Sequence, residues 1–406
     1  MVQTESPESR HTTYDDGQYD DVDVEKMKKY VQELELKNAE LKQKLEAAQA
    51  QLKEGNKYIN CDPLIDEELR KCHDVFLCPH ESDYKKLSEF LGDPQSKLTM
   101  DVKVHGKRVI QALKQLEKDL HKPIYVAPSV RTRKMPKKFR RMTTVAKCVI
   151  LGIIEDIYRL HRHGLSLNGK FTLDNFYWTH LKKVKFDLAL KLVVCKRERN
   201  EMINDFHQIY QIIMEMLSFH DSGLTVPNDL QSLLDLLNCD DPVKHQEIIR
   251  YNISLLSEIG KKSHFITLYD RLQQQILEDE ERGPQEEKKS EIVLKFISTE
   301  FTYPGGGEEP WSTMAMDNSY VGAVYDLRSM HKNKVLEEPL DLLIVWRNAL
   351  CHILENSVKD GVPLFKDEDL VNILESTIPD VFNGLQRAMS EVGLLELPHL
   401  MRAMRM

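Results

Sequence analysis

The chain has 406 residues, of which 65 are acidic and 56 are basic, and a formal net charge of −9. This balance excludes a generally basic surface for nucleic acid and leaves only a local one. No apolar run approaches the ~18–20 residues that a bilayer span requires, and the acidic first residues lack the regions of a signal peptide. We therefore expect a cytoplasmic protein that has no membrane partner.

Residue usage predicts a mainly α fold in a reducing compartment. The seven cysteines are odd in number and mostly scattered, which is not the pattern of a disulfide framework. Glycine and proline, with 17 and 16 residues, are used less than average, and the long periodic stretches have helical spacing.

The N-terminal part of the chain predicts a disordered tail followed by a coiled coil. Residues 1–23 carry seven acids against one arginine and cannot bury enough apolar surface to fold. Residues 24–54 then alternate apolar spacings of three and four, as an a/d seam does. The seam positions are Val24, Met27, Val31, Leu34, Asn38, Leu41, Leu45, Ala48 and Leu52.

The seam leaves the coiled-coil partner open. Asn38 at an a position favours a two-stranded pair, but Lys37 would face Lys42 of the second chain in a parallel homodimer. A homodimer, an antiparallel pair and a heterodimer are therefore all compatible with the pattern. The alternative is one amphipathic helix packed on its own protein.

Residues 60–147 predict a helical region of uncertain nature with a basic segment. Cys72, His73, Cys78 and His80 crowd together, but zinc sites usually have a second ligand pair, so we predict no metal here. The segment RKMPKKFRR at 133–141 is suited to bind phosphate backbone or to direct nuclear import. A solvated basic loop is the alternative.

The remainder of the chain predicts two helical domains joined by a linker. The first, 148–277, contains apolar helical segments that are predicted at 148–161, 204–219, 227–238 and 245–277. The charged and Gly-Pro-containing run at 278–291, together with three glycines that follow Pro304, predicts a linker over 278–309. The second domain, 310–406, is divided by breaks at Asp360–Gly361 and Ile378–Pro379.

The first of these domains resembles the C-terminal lobe of a protein kinase. The resemblance lies in the order of three segments: a helix that ends in LHRHG (160–164), a loop-and-strand stretch LSLNGKFTLDNFYW followed by KKVKFDLAL, and a helix opening with Asp205 in DFHQIYQIIMEML. DLQSLLDLLNCDDPVKHQ at 229–246 is similar to a late kinase segment, with His245 in place of the family's arginine.

The kinase resemblance is degenerate at the residues that carry phosphoryl transfer. If Asn175 matches the catalytic-loop asparagine, Lys170 stands where the family has its catalytic aspartate and Thr172 where it has a lysine. Asp187, the acid closest to the metal-binding position, is one residue out of frame and lacks the following glycine. Phosphoryl transfer depends on such ligands, so we predict a pseudokinase-like lobe without kinase activity.

The C-terminal segment resembles the kinase-extension nuclease (KEN) domain of the unfolded-protein-response sensor endoribonucleases and ribonuclease L. The similar residues are DLLIVWRNALCHILENSVKDGVPLF (341–365) and IPDVFNGLQRAM (378–389). The resemblance implies an all-α domain and metal-independent RNA cleavage by a ribose 2′-hydroxyl. It also implies that dimerisation is needed for activity.

The resemblance assigns the catalytic site to Arg347, Asn348 and His352. Arg347 suits binding of the phosphate, His352 suits proton transfer near neutral pH, and Asn348 lies one turn before His352 on the same face. Arg347 and His352 are about 140° apart on a regular helix, so they meet on one phosphate only if the helix ends near His352. A buried arginine and asparagine beside a surface histidine is the structural alternative.

One family residue is missing from this site. The sensor enzymes have a catalytic tyrosine thirteen residues before the arginine, where this chain has Lys334. A lysine is a poor base unless it is desolvated, although it can bind phosphate. Tyr325 and Trp311 lie upstream, but their spacing does not match the family position.

Two functions follow from the sequence. The first is a dimer-dependent, metal-independent endoribonuclease that acts on a single-stranded loop or stem-loop RNA and uses no cofactor. The second is a non-catalytic coiled-coil scaffold, or a regulatory partner of an active related endoribonuclease. The basic segment 133–141 adds a nuclear location to the cytoplasmic expectation.

Overall fold

The computed structural model describes residues 28–39, 42, 63–77, 83–93, 96–102, 139–219, 226–227, 229–282, 287–301, 310–317, 319–332, 335–356, 358–359, 362–363 and 367–395. Of the interpretable residues, 70% are helical, which confirms the mainly α prediction. The chain divides into two compact units, 1–62 and 63–406. In the described part of the chain, no helix has the length and apolar character to cross a membrane.

The described part of the first unit is a helix, α1 (28–39), which is exposed along its whole length. Val31 and Leu34, two of the predicted seam positions, are 49% and 43% exposed. The tail 1–23 and most of the predicted coiled coil lie outside the described residues.

The second unit contains short strands among many helices. The helices are α2 (Pro63–Lys71), α3 (Leu87–Leu91), α4 (Thr144–Arg162), α5 (Arg199–Ser218), α6 (Gln231–Leu237), α7 (Gln246–Arg250), α8 (Glu258–Glu280), α9 (Lys289–Phe301), α10 (Trp311–Asp317), α11 (Ser319–Lys332), α12 (Pro339–Asn356), α13 (Asp367–Thr377) and α14 (Val381–Glu391). The strands are β1 (Tyr84–Lys86), β2 (Thr99–Val102), β3 (Phe139–Met142), β4 (Leu165–Ser166), β5 (Phe176–Thr179), β6 (Val184–Phe186), β7 (Cys195–Lys196), β8 (Val358–Lys359) and β9 (Val362–Pro363).

All the strand pairs are antiparallel and short. One sheet has the order β1-β5-β6, and the other pairs are β2-β3, β4-β7 and β8-β9. In the three-stranded sheet, Tyr84 lies opposite Thr179, and Phe176 lies opposite Phe186. The sheet therefore attaches the segment around residue 84 to a hairpin almost a hundred positions later in the chain.

The first hydrophobic core forms around α4 and α5. Thr143 caps α4 by accepting a hydrogen bond from Ala146 N at 3.2 Å, so the helix begins before the predicted residue 148. The face of α4 that carries Val149, Ile153 and Ile157 is fully buried. Each of these residues is four positions after the last, which places them along one side of the helix.

The segment before α4 is part of the same core. Val75 and Leu87 are fully buried in contact with the cluster around α4. We predicted residues 60–147 to be a helical region of uncertain nature, and the described residues contain three strands as well as helices. The prediction failed because short strands bury too few residues to leave a clear period in the sequence.

The second core begins earlier in the chain than we predicted. Helix α8, which the sequence placed in the kinase-like domain, packs Phe265 and Leu272 into the same cluster as the C-terminal helices. This cluster extends from Ile253 to Leu394. The second domain is therefore larger than 310–406.

The predicted linker 278–309 is wrong for its middle part, which is the helix α9. Val293, Ile297 and Phe301 recur at intervals of four and are buried in the second core. Asp279 at the end of α8 accepts hydrogen bonds from Ser290 N and Gln275 Nε2, each at 2.8 Å. The charged run concealed these helix ends because its side chains are mostly solvent-facing.

A buried ionic network joins the two cores. The amine of Lys261 on α8 is fully buried and lies 2.7 Å from Glu375 and 3.3 Å from Asp229. These carboxylates raise the pKa of Lys261 despite burial, which acts in the opposite direction. Beside them, Glu258 pairs with Lys147 at 3.0 Å and with Arg141 at 2.9 Å. Removal of one partner from such a network strongly destabilises a protein.

Candidate RNA-binding and cleavage site

The loop that follows α4 is held by one buried carboxylate. Asp205 on α5 is fully buried and accepts hydrogen bonds from four donors of the preceding loop and helix. The donors are His161 Nε2 at 2.8 Å, Ser166 Oγ at 2.6 Å, Leu167 N at 3.1 Å and Gly169 N at 2.8 Å. Gly169 has φ +66°, a left-handed conformation that glycine adopts without steric cost.

Asn175 and Asp187, which the sequence analysis compared with kinase positions, accept hydrogen bonds from residues nearby in the chain. Asn175 Oδ1 accepts hydrogen bonds from Thr172 N at 2.8 Å and Thr172 Oγ1 at 3.2 Å. Asp187 accepts from Ala189 N at 2.8 Å and from the hydroxyl of Tyr177 at 3.2 Å. Lys170 is exposed. These side chains therefore stabilise local turns.

Arg347 and Asn348 lie on the long helix α12 and are half-buried. Arg347 Nη1 is 3.5 Å from Asn348 Oδ1. The helix positions both residues because Leu342, Val345 and Trp346 on its other face are buried in the second core. This packing leaves the Arg347 side of the helix at the boundary with solvent.

The helix does not end near His352. α12 continues to Asn356, four residues beyond the histidine. The backbone positions of Arg347 and His352 are therefore about 140° apart around the axis, whereas Asn348 and His352 are only about 40° apart. The side chain of His352 lies outside the described residues. The condition that we set for Arg347 and His352 to meet on one phosphate is not fulfilled within a single helix.

Two further cations lie on the neighbouring helix α11. Lys332 Nζ is 2.6 Å and Arg328 Nη2 is 3.7 Å from the carboxylate of Asp341, which is fully buried near the start of α12. The side chains of Arg328 and Lys332 remain 27% and 30% exposed. Both cationic side chains are therefore partly exposed, whereas their carboxylate partner is not.

Tyr269 on α8 is a candidate that sequence reasoning missed. Burial raises the pKa of its hydroxyl, and the charges of Arg347 and Arg328 oppose part of that rise. The tyrosine is half-buried at the edge of the second core. The net effect is a raised pKa, so the hydroxyl is protonated near neutral pH, and the two guanidiniums place it beside the cations of the candidate site. No spacing in the sequence relates Tyr269 to Arg347, because they come from different helices.

Tyr325 and Trp311, the two aromatic residues upstream of Arg347, make hydrogen bonds and packing contacts inside the protein. The Tyr325 hydroxyl accepts from Leu336 N at 3.1 Å and donates to Leu336 O at 3.3 Å. Trp311 packs edge-on against Tyr325 and donates from Nε1 to Glu337 O at 3.4 Å. Both are nearly fully buried, so they hold the chain that leads into α12. Lys334 lies outside the described residues.

The cysteine–histidine segment is divided between core and surface. Cys72 is buried, burial raises its pKa to about 11, and its thiol donates to Glu68 O at 3.3 Å. His73 is exposed. Cys78 and His80 lie outside the described residues. Within the described part of the chain, no three His, Cys, Asp or Glu side chains group in a way that could hold a metal ion.

Comparison with known proteins adds no relative to this picture. No family model matches the chain. No curated protein matches it either.

Proposed function

We propose that this protein is a KEN-like endoribonuclease that cleaves RNA without metal and requires dimerisation. The observation that carries the proposal is the arrangement of three partly exposed cations, Arg328, Lys332 and Arg347, on the adjoining helices α11 and α12. Guanidinium groups bind phosphate oxygens bidentately. The chain as a whole is acidic, so a surface that binds RNA has to be local. This group of cations provides such a surface.

Each of the three site residues has a distinct role in this proposal. Arg347 binds the scissile phosphate and stabilises the charge that develops on it. His352 transfers the proton, and Asn348, on the same face of α12, orients it. Tyr269 serves as the substitute for the family tyrosine that Lys334 replaces. Its two guanidinium neighbours support that assignment.

Dimerisation supplies what one helix lacks. Arg347 and His352 lie about 140° apart around α12. One phosphate can therefore contact both only if the RNA bends or if a second chain supplies one of the two residues. The exposed seam of α1, with Val31 and Leu34, supports pairing through the predicted coiled coil. The pseudokinase-like lobe then brings two C-terminal domains together.

A second candidate is a non-catalytic scaffold that binds a related, active endoribonuclease. The divergence of Arg347 and His352 along an uninterrupted α12 favours it. Two features of the sequence also favour the scaffold. Lys334 stands where the family has its tyrosine, and the expected Lys37–Lys42 contact disfavours a parallel homodimer. In this function the C-terminal helices supply only a binding surface.

Cleavage of a fluorescent stem-loop RNA in EDTA tests the first proposal. We expect cleavage to rise with self-association at micromolar protein. His352→Ala should reduce the rate by at least about a hundredfold, as loss of a general acid or base does. Lys170→Ala is the matched control, since this exposed residue lies in the degenerate kinase loop; its rate should equal that of the wild type.

The outcomes separate the two candidates. Absence of cleavage by a folded, dimeric wild type would exclude the enzyme and support the scaffold. Equal rates for the wild type and His352→Ala would remove His352 from the mechanism. Circular dichroism and analytical ultracentrifugation of each variant show whether fold and dimer are retained.

A further inference from the structure

A groove of about 390 Å³ lies between the two cores, away from Arg347. One side is formed by α6, whose leucines belong to the first core. The opposite side is formed by α9 and by the turn into α14, which belong to the second core. Cavities of this size at the boundary between packed units are typical places for small-molecule ligands.

The groove has an excess of carboxylates. Asp235, Glu300 and Asp380 line it, against the single cation Arg387. The Arg387 guanidinium lies 5.5 Å from the centre of the Phe296 ring, and this cation–π contact holds Arg387 to one side of the groove. The remaining lining therefore has a negative charge that suits a cation.

Asp380 is the best-placed of these acids for a ligand. Its backbone has φ +65° at the turn before α14, and its Oδ1 accepts a hydrogen bond from Asn383 Nδ2 at 3.2 Å. Burial raises its pKa to about 6, and the neighbouring Asp235 adds to the rise. A positive charge placed beside Asp380 and Asp235 would stabilise the ionised form of Asp380.

Ser232 provides a second, independent observation. It lines the same groove, is only 4% exposed, and its hydroxyl has no hydrogen-bond partner in the described part of the chain. A buried hydroxyl normally has a partner, and its absence costs free energy. An occupant of the groove that carries an N–H group can supply one.

The rest of the lining is apolar and closely packed. Phe301, Met314 and Pro379 form it. A Cβ added to Gly384 would lie 2.2 Å from Cε2 of Phe301, so glycine is required there for α9 to approach α14. The ring of Phe301 therefore has a fixed position and offers a flat surface to methylene groups.

We propose that this groove binds a linear aliphatic diamine, with one ammonium between Asp235 and Asp380 and the methylene chain against Phe301 and Met314. The hydroxyl of Ser232 accepts a hydrogen bond from the bound ammonium. The ligand contacts elements of both cores, so its binding stabilises their relative arrangement. The proposal is independent of RNA cleavage.

Calorimetric titration of the full chain with putrescine tests the proposal. We expect binding by the wild type, and a dissociation constant at least about tenfold higher for Asp380→Asn and for Asp235→Asn. Asp380→Asn should fold normally, because burial already disfavours the charged carboxylate. Glu89→Gln, which removes an exposed acid on α3 outside the groove, is the matched control and should leave the affinity unchanged.

The comparison ligand is the uncharged diol with the same number of carbons as putrescine. Binding of putrescine without binding of the diol, together with a rise in melting temperature that Asp380→Asn abolishes, would support the site. The proposal would be overturned by three results: no binding of putrescine at millimolar concentration, equal binding of the diol, or an equal loss of affinity in Glu89→Gln.

Discussion

Asp205 in the first core and Asp341 in the second are both fully buried carboxylates, yet their partners differ. Asp205 accepts two backbone N–H groups and two buried side-chain donors, and both of its oxygens are used. Asp341 is paired with Lys332 and Arg328, whose side chains are partly exposed, and its Oδ2 has no hydrogen-bond partner among the described residues.

This difference separates a structural carboxylate from one that positions a binding surface. Short donors fixed to the backbone give Asp205 a closed set of contacts that no ligand can replace. Long cationic side chains can turn from Asp341 towards an incoming phosphate, because they are only partly buried. The first core is therefore expected to be rigid at this point, and the second is suited to exchange partners.

Asp205→Ala should have the largest effect. The substitution leaves four donors without their acceptor inside the first core, and we expect a loss of about 3–5 kcal/mol in the free energy of unfolding. Urea denaturation followed by circular dichroism measures it. Asp205→Asn keeps the shape and one acceptor oxygen, so it should lose less stability than Asp205→Ala. If Asp205→Ala lost no more stability than Asp205→Asn, the interpretation of Asp205 as the common acceptor of these four donors would be contradicted.

Asp156→Asn tests a buried acid of the first core that lacks such donors. Asp156 on α4 is 6% exposed, and its Oδ2 has no hydrogen-bond partner among the described residues. Burial raises its pKa to about 8, although Lys185 and Arg159 act to lower it. The folded protein thus retains a proton that the unfolded chain loses near pH 4, and stability should fall as the pH rises from about 4 to 8.

The asparagine variant removes this dependence. Relative to the wild type, we expect Asp156→Asn to gain about 3–4 kcal/mol more at pH 8 than at pH 5. Urea denaturation at both pH values measures the difference, and Glu89→Gln, which alters an exposed acid, should show none. A relative stability that is the same at both pH values would show that Asp156 is ionised in the folded protein.

Asp341→Asn should have the smallest effect on stability and a visible one on RNA. Because Lys332 and Arg328 are partly solvated, we expect a loss of only about 1 kcal/mol in the free energy of unfolding. The two cations are then freed, so RNA should bind several-fold more tightly and with a steeper salt dependence. Fluorescence anisotropy at two salt concentrations measures this, with Asp270→Asn, an exposed acid on α8, as the control.

The helices themselves could be predicted from the sequence. Ile153 and Ile157 on α4 and Ile209 and Ile213 on α5 recur at helical intervals, and the corresponding helices are present. The break at Ile378–Pro379 also lies between α13 and α14, whereas Asp360–Gly361 is outside the described residues. Local spacing suffices in these cases because a helix buries residues that are close in sequence.

The site could be predicted only in part. Arg347 and Asn348 were named from the resemblance to the KEN domain, and they lie half-buried on α12. Tyr269 was missed because its relation to Arg347 crosses from α8 to α12. The groove was missed for the same reason, since Ser232 and Asp380 are far apart in sequence and are brought together only by the packing of α6 beside α14.

What the sequence determined by itself was therefore the mainly α character and the positions of the long helices, and it offered Arg347, Asn348 and His352 as candidates. Tertiary structure alone decided that α8 and α9 belong to the second core, that 63–91 belongs to the first, and which buried acids have fixed donors. The spacing of apolar residues in a helix depends on residues within a few turns of each other. Burial and charge pairing depend on residues that only the folded chain places in contact.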